Sequence, residues 1–180
     1  MTNQSFEILT DFPFELDPPN LMNTLRIRPG SLVADEFMAL FNEAVPTGRP
    51  KALYRAAYIE SRDGDSVVID GVTFTSRTLC NNLDGVGRVF PYIATCGTEL
   101  EELENACHDL LHTYWLDGIK YALLNCSLQY LRSHLERTYA PGKVAHISPG
   151  SGDANVWPIK QQKELFSLLG DVKADRRAHV

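Results

Sequence analysis

The stretch Ser148-Pro149-Gly150-Ser151-Gly152-Asp153-Ala154-Asn155-Val156-Trp157 concentrates the residues best suited to facing a ligand. Its glycines allow close backbone approach, and Pro158 directly after it opens a helix. The free amides and positive end of that helix would point at the loop, a geometry that can hold a carboxylate such as that of an amino acid. The competing reading is a plain surface connection from strand to helix, although the loop is longer than such a connection needs.

A second candidate is Asp117. Leu100, Leu103, Cys107, Leu110, Tyr114, Asp117, Tyr121, Leu124, Leu128, Leu131 and Leu135 recur at alternating spacings of three and four. That pattern predicts one long buried helix face, or two helices in line, with Gly118 as the place for a kink or break. Asp117 is the charged member of the stripe and is therefore expected to be at least partly buried, where a carboxylate must be paired or pushed toward its neutral form. It would cap a second helix at the Gly118 break, pair with a backbone amide or a sheet arginine, or face a ligand.

Other constellations carry less. Glu104, His108 and His112 fall at i, i+4 and i+8, and two histidines at that spacing can share a metal. Polar residues opposite a leucine stripe are ordinarily just solvated, so no metal site is assigned. Cys96 stands at a strand-to-helix junction, where a helix dipole can lower a thiol pKa, but it has no clear base partner in sequence. The four cysteines, Cys80, Cys96, Cys107 and Cys126, form no C-x-x-C pair, and most lie in apolar stretches, as buried reduced thiols do. There is no Walker A loop, dinucleotide-binding glycine fingerprint or G-x-S-x-G elbow, and no catalytic residue is assigned.

The elements that must position these groups are readable from local signals. With 180 residues and 44% hydrophobic side chains, the chain suits one domain with a core. A net charge of −6, with Arg176-Arg177 as the basic cluster, argues against a nucleic-acid surface. No apolar run approaches the roughly 20 residues that span a bilayer, and Met1–Ser5 lacks a signal-peptide design, so a cytoplasmic protein without membrane partners is expected.

A short extended run is predicted at 6–9, helices at 19–26 and 31–44 with Ser31 and Asp35 as caps or first-turn residues of the second, and a strand from Ala52 to Ser61. Arg62-Asp63-Gly64-Asp65 turns that strand into Ser66–Ile69, and Asp70-Gly71 leads into Val72-Thr73-Phe74. Ser76 caps a short helix through Leu83. The run Arg88–Thr95 reads as a strand, and Pro91 within it marks an edge or an irregularity. Thr98 and Glu101 form a capping box for the long helix, which Pro141-Gly142 ends. Val144–Ile147 reads as a strand, and Ile159–Leu169 as a helix closed by Gly170. These elements mix strands and helices, with one long helix, or two in line, near 98–138.

The residues Ser148-Pro149-Gly150-Ser151-Gly152-Asp153, then Trp157-Pro158-Ile159, then Gln162–Gly170 resemble a short stand-alone branch of the activation-domain family of cobalamin-dependent methionine synthase. That branch carries an S-P-G-Y-G-D-W-P-L element and a Q-x-x-L-F-x-L-L-G helix. Tyr92–Gly97 before an acidic helix, and Tyr114-Trp115-Leu116-Asp117 within it, also fit, so the resemblance runs over roughly residues 50 to 170. It implies an α+β fold, a twisted antiparallel sheet flanked by helices, in a single domain over residues 1–180 that binds S-adenosylmethionine or a related small molecule and docks on a cobalamin-carrying corrinoid protein, or on the methionine synthase core.

In this family the methyl transfer occurs at the partner's cobalt during reductive reactivation, so the module needs no catalytic group of its own. His146, Ser148, Gly150, Ser151 and Asp153, with Asp117, are the implied ligand-binding residues. The family has arginine where this chain has His146 and tyrosine where it has Ser151, and Ala154-Asn155-Val156 lengthen the loop. Those departures favour an alternative, an interaction module that kept the fold and lost the ligand. Family members continue with a further strand, so the domain is expected to be truncated at Val180.

Overall fold

The computed structural model describes residues 6–140, 144–150 and 157–170, and within these the chain is α+β. By packing it falls into two compact units, each assembled from separated stretches. A sheet unit takes the residues up to Glu7, Leu53–Ile93 and the described residues after Pro141; a helical unit takes Ile8–Ala52 and Ala94–Ala140. β1 (Glu7–Leu9), β2 (Lys51–Tyr54) and β7 (Tyr92–Thr95) form a sheet of order β1-β2-β7.

The sheet unit is built on β3 (Ala57–Asp63), β4 (Ser66–Ile69), β5 (Val72–Thr75) and β6 (Arg88–Val89), in the antiparallel order β5-β4-β3-β6. Both hairpin turns are tight. Asp63 pairs with Ser66 across Gly64-Asp65, and Ile69 with Val72 across Asp70-Gly71. Asp70 and Gly71 have φ of 43° and 79°, the left-handed pair that matches strand twist and that aspartate and glycine tolerate best. Val67, Ile69 and Phe74 are buried with Ala57, against Leu79 and Cys80 of α3 (Arg77–Asn82). The Ser76 hydroxyl caps that helix, accepting the Leu79 amide at 3.0 Å. The strand expected from Ala52 to Ser61 is interrupted at Arg55-Ala56, and Val144–Ile147 forms no strand. Instead Ile147 packs its side chain on the unit's core.

The helical unit consists of α1 (Pro18–Thr24), α2 (Leu32–Thr47), α4 (Glu101–Ala106) and α5 (Leu110–Tyr139) around Phe37, Phe41, Trp115, Ile119 and Leu123. Ser31 caps α2 as expected, its hydroxyl accepting from the Ala34 amide at 3.2 Å. The Thr98–Glu101 capping box does not form, because Thr98 offers its carbonyl to Glu101 in a turn and α4 starts only at Glu101. The break lies at Cys107-His108-Asp109, where the Asp109 carboxylate caps α5 through the amides of Leu111 and His112 at 2.9 and 3.0 Å. α5 then runs unbroken through Gly118 for 30 residues. A Cβ at Gly118 would come within 2.7 Å of the Leu25 side chain, so this glycine makes room for a neighbour rather than a kink.

The buried seam of α5 also differs from the expected stripe. It follows Trp115, Ile119, Leu123, Ser127, Leu131 and Leu135, with Leu116 beside it. Each four-residue step advances about 40° around the helix, so this seam winds and joins the alternating series only at Leu131 and Leu135. Leu110, Tyr114 and Tyr121, members of that series, are 88%, 52% and 66% exposed.

Candidate functional site

The element at 146–170 is fastened to the sheet unit by a small number of directed bonds. The Gly150 amide donates to the Trp157 carbonyl at 2.8 Å, closing the loop. Trp157 is buried, edge-on to Phe74 with ring centroids 5.8 Å apart. Its indole N–H donates to Gln161 Oε1 at 3.0 Å, and the same oxygen accepts the Thr75 amide at 3.2 Å. Gln161 Nε2 returns a bond to the Thr75 carbonyl at 2.9 Å. Thr75, at the end of β5, thus receives from one glutamine side chain the donor and acceptor that a neighbouring strand would supply.

A tight 3-10 turn, Ile159–Gln161, precedes α6 (Gln162–Leu169), which ends at Gly170 with φ 77°. His146, Ser148 and Gly150 are exposed on this element, with Pro149 buried between them. Gly150 has φ 82°, and a Cβ there would come 2.6 Å from Ile159 Cδ1, so the close approach it permits is to Ile159. Ser151 and Asp153 lie outside the described residues.

Asp117 corrects the expectation of a buried carboxylate. It is exposed on α5 and belongs to the helical unit, whereas residues 146–150 belong to the sheet unit. The physical reason is the winding of the α5 seam, which turns this position outward. With no break at Gly118 there is no helix start for it to cap, and among the described residues it forms no ion pair. Its nearest electrostatic consequence is on Lys120. That ammonium is held above its ordinary value first by its 2.7 Å hydrogen bond to Glu104, with Asp117 adding a smaller contribution.

The metal-spaced trio is dispersed by the helix break. Glu104 on α4 is engaged by Lys120, while His112 on α5 tilts against Trp115 at 5.2 Å and lies 3.9 Å from Glu36. Among the described residues no group of three or more metal-ligating side chains converges. All four cysteines are free. Burial pushes the Cys96 thiol up, opposite to the shift a helix N-terminus would give, since α4 begins five residues later at Glu101.

Two features went unnoticed in the sequence. Arg55 is 5% exposed, donating to Asp70 Oδ2 and, at 2.8 Å, to the carbonyl of Leu168 in the last turn of α6. Asp70 Oδ1 also accepts the Tyr58 amide at 3.0 Å. A guanidinium therefore joins the β4–β5 turn to a helix C-terminus, where positive charge is favoured. The signal was a lone arginine inside the apolar run Ala52-Leu53-Tyr54-Arg55-Ala56-Ala57. The second feature is a cleft of about 340 Å³ in the helical unit, lined by Leu25–Arg28, Ser31, Val33, Leu111, Tyr114 and Trp115.

No protein-family model matches the chain, and no curated protein matches it. Among the described residues no helix is long and apolar enough to cross a membrane.

Proposed function

We propose that this chain is an accessory module of the methionine synthase activation type. It binds S-adenosylmethionine or a related small molecule at the loop carrying His146, Ser148, Gly150, Ser151 and Asp153. In this role it assists reductive reactivation of a cobalamin held by a partner corrinoid protein in the cytoplasm. The observation that carries the reading is the closed base of this loop. The Ser148-Pro149-Gly150 and Trp157-Pro158-Ile159 halves of the family-like string meet through the Gly150–Trp157 hydrogen bond, and Gln161 pins them to β5. Binding loops work when a rigid scaffold fixes their ends. The exposed side chains of His146 and Ser148 stand where a ligand can reach them.

The net charge of −6 suits a protein partner better than a phosphate backbone. The second reading, an interaction module without a ligand, is favoured by one observation: the space beside Gly150 is already occupied by Ile159. Isothermal titration with S-adenosylmethionine, with S-adenosylhomocysteine as a control, separates the two. The ligand reading expects saturable heat that Ser151→Trp weakens at least tenfold. No heat and no thermal stabilisation at millimolar ligand would leave the docking module alone.

A further inference from the structure

The helical unit carries an interaction surface that the loop at 146–153 does not explain. α1 ends in a turn in which the Arg26 amide donates to the Asn23 carbonyl at 3.1 Å and the Ile27 amide to the Met22 carbonyl at 2.8 Å. This pair of bonds is the Schellman closure, whose left-handed residue is usually glycine. Here that residue is Arg26, with φ 59°. The other non-glycine residues with positive φ are Asp11 and Asp70, of a type that tolerates it, and Ala140 at the end of α5; an arginine, like that alanine, gains nothing locally from the conformation. Strain of this kind persists where the side chain has another use.

That side chain lines the cleft, as does Arg28. Among the described residues neither guanidinium has a carboxylate within ion-pairing distance, in a chain where acidic residues outnumber basic ones by 23 to 17. Of the acidic groups at the same ends of α2 and α5, Asp109 is engaged by the amides of Leu111 and His112 and Glu36 lies 3.9 Å from His112, while Asp35 is exposed in the first turn of α2. Apart from Ser31 the rest of the lining is largely apolar, with buried Ile27 and Trp115 and with exposed Val33, Leu111 and Tyr114. Leu32 and Leu110, next in sequence to two of these, are 82% and 88% exposed. Exposed apolar side chains beside two guanidiniums that no carboxylate pairs among the described residues are the form of a recognition surface.

We infer that this cleft docks an acidic amphipathic segment of a partner protein, which lays apolar side chains against Val33, Leu111 and Tyr114 and places its carboxylates on Arg26 and Arg28. Charge complementarity selects this occupant: bidentate guanidinium–carboxylate pairs fix register, and the apolar floor accepts the i, i+3, i+4 face of a helix. The inference does not depend on any ligand at the 146–153 loop.

The test is fluorescence anisotropy with the full chain. The probe is a fluorescein-labelled peptide bearing leucine and phenylalanine at i, i+3, i+4 and i+7 and glutamate elsewhere; the control replaces glutamate with lysine. Saturable binding of the acidic peptide is expected, about tenfold tighter than the lysine peptide and weakening as salt rises. Arg26→Gly is the deciding variant. Glycine takes the left-handed turn at lower cost, so this variant is expected to raise Tm by about 2–4 °C while weakening the acidic peptide about fivefold. Equal affinity for both peptides, unchanged affinity in Arg26→Gly, or a lowered Tm in that variant would each overturn the inference. So would a dimer in sedimentation that Leu111→Glu dissolves, which would assign the surface to a second copy.

Discussion

Among the described residues of the sheet unit no β-strand is longer than seven residues and α6 has eight, and these short pieces are tied together by side chains that bond distant backbone. Arg55 reaches the Leu168 carbonyl and Asp70, and Gln161 satisfies both backbone groups of Thr75. In the helical unit α2 and α5 span 16 and 30 residues and close on each other through rings, Phe37 lying edge-on to Trp115 at 5.9 Å. Long helices satisfy their own backbone and need only a buried face; short strands and turns leave backbone groups that something else must satisfy. The difference teaches where each unit is fragile, the one at single polar residues and the other at its packing.

The contrast can be broken most directly at Arg55. Replacing it with methionine keeps apolar volume but leaves the Asp70 carboxylate without its cation, and a loss of about 3 kcal/mol is expected in urea denaturation. A neutral result would mean that the sheet unit closes by burial as the helical unit does. Gln161→Leu is the next sharpest probe. It removes the bonds to Thr75 and the Trp157 indole while preserving bulk, and should cost about 1–2 kcal/mol. Faster hydrogen exchange at the Thr75 amide, with the α5 amides unchanged, would localise the effect to the sheet unit.

The smallest effect lies in the helical unit, at the one polar device that starts its longest helix. The amide of His112, then that of Leu111, holds the Asp109 carboxyl below the usual carboxylate range. A depressed folded pKa means that the cap's contribution is complete above the ordinary aspartate pKa and fades as pH falls through the lowered one. Acid titration followed by NMR should therefore loosen Leu111 and His112 first, and Asp109→Asn, which keeps an acceptor, should flatten that response.

Local chemistry was legible in the sequence and tertiary choice was not. The Ser31 and Ser76 caps, the Asp70-Gly71 turn, the Pro91 irregularity and the Gly170 stop each depend on a few adjacent residues. The α5 seam was misread because several apolar series pass along one helix, and which is buried depends on Phe37 and Leu25, far away in the chain. The same holds for the site residues. Gly150 was noticed as a glycine, but its partner Ile159 could not be read from spacing, and Asp117 was assigned inward by a stripe that turns outward. Arg26 and Arg28 carry no signal of their own in the sequence; the Schellman turn beside them and the cleft they line are products of the fold.

The interleaving of the two units along the chain has a consequence for how the protein is made. During synthesis α1 and α2 leave the ribosome with Phe37 and Phe41 bare, and the rings that cover them arrive only with Trp115. The sheet strands are complete by β6, yet their core waits for Trp157 and Leu168. Neither unit can be finished in the order in which it is written, and both nascent halves carry apolar surface through a long stretch of translation. A truncation at the border after Ala52 would release a chaperone client rather than a domain.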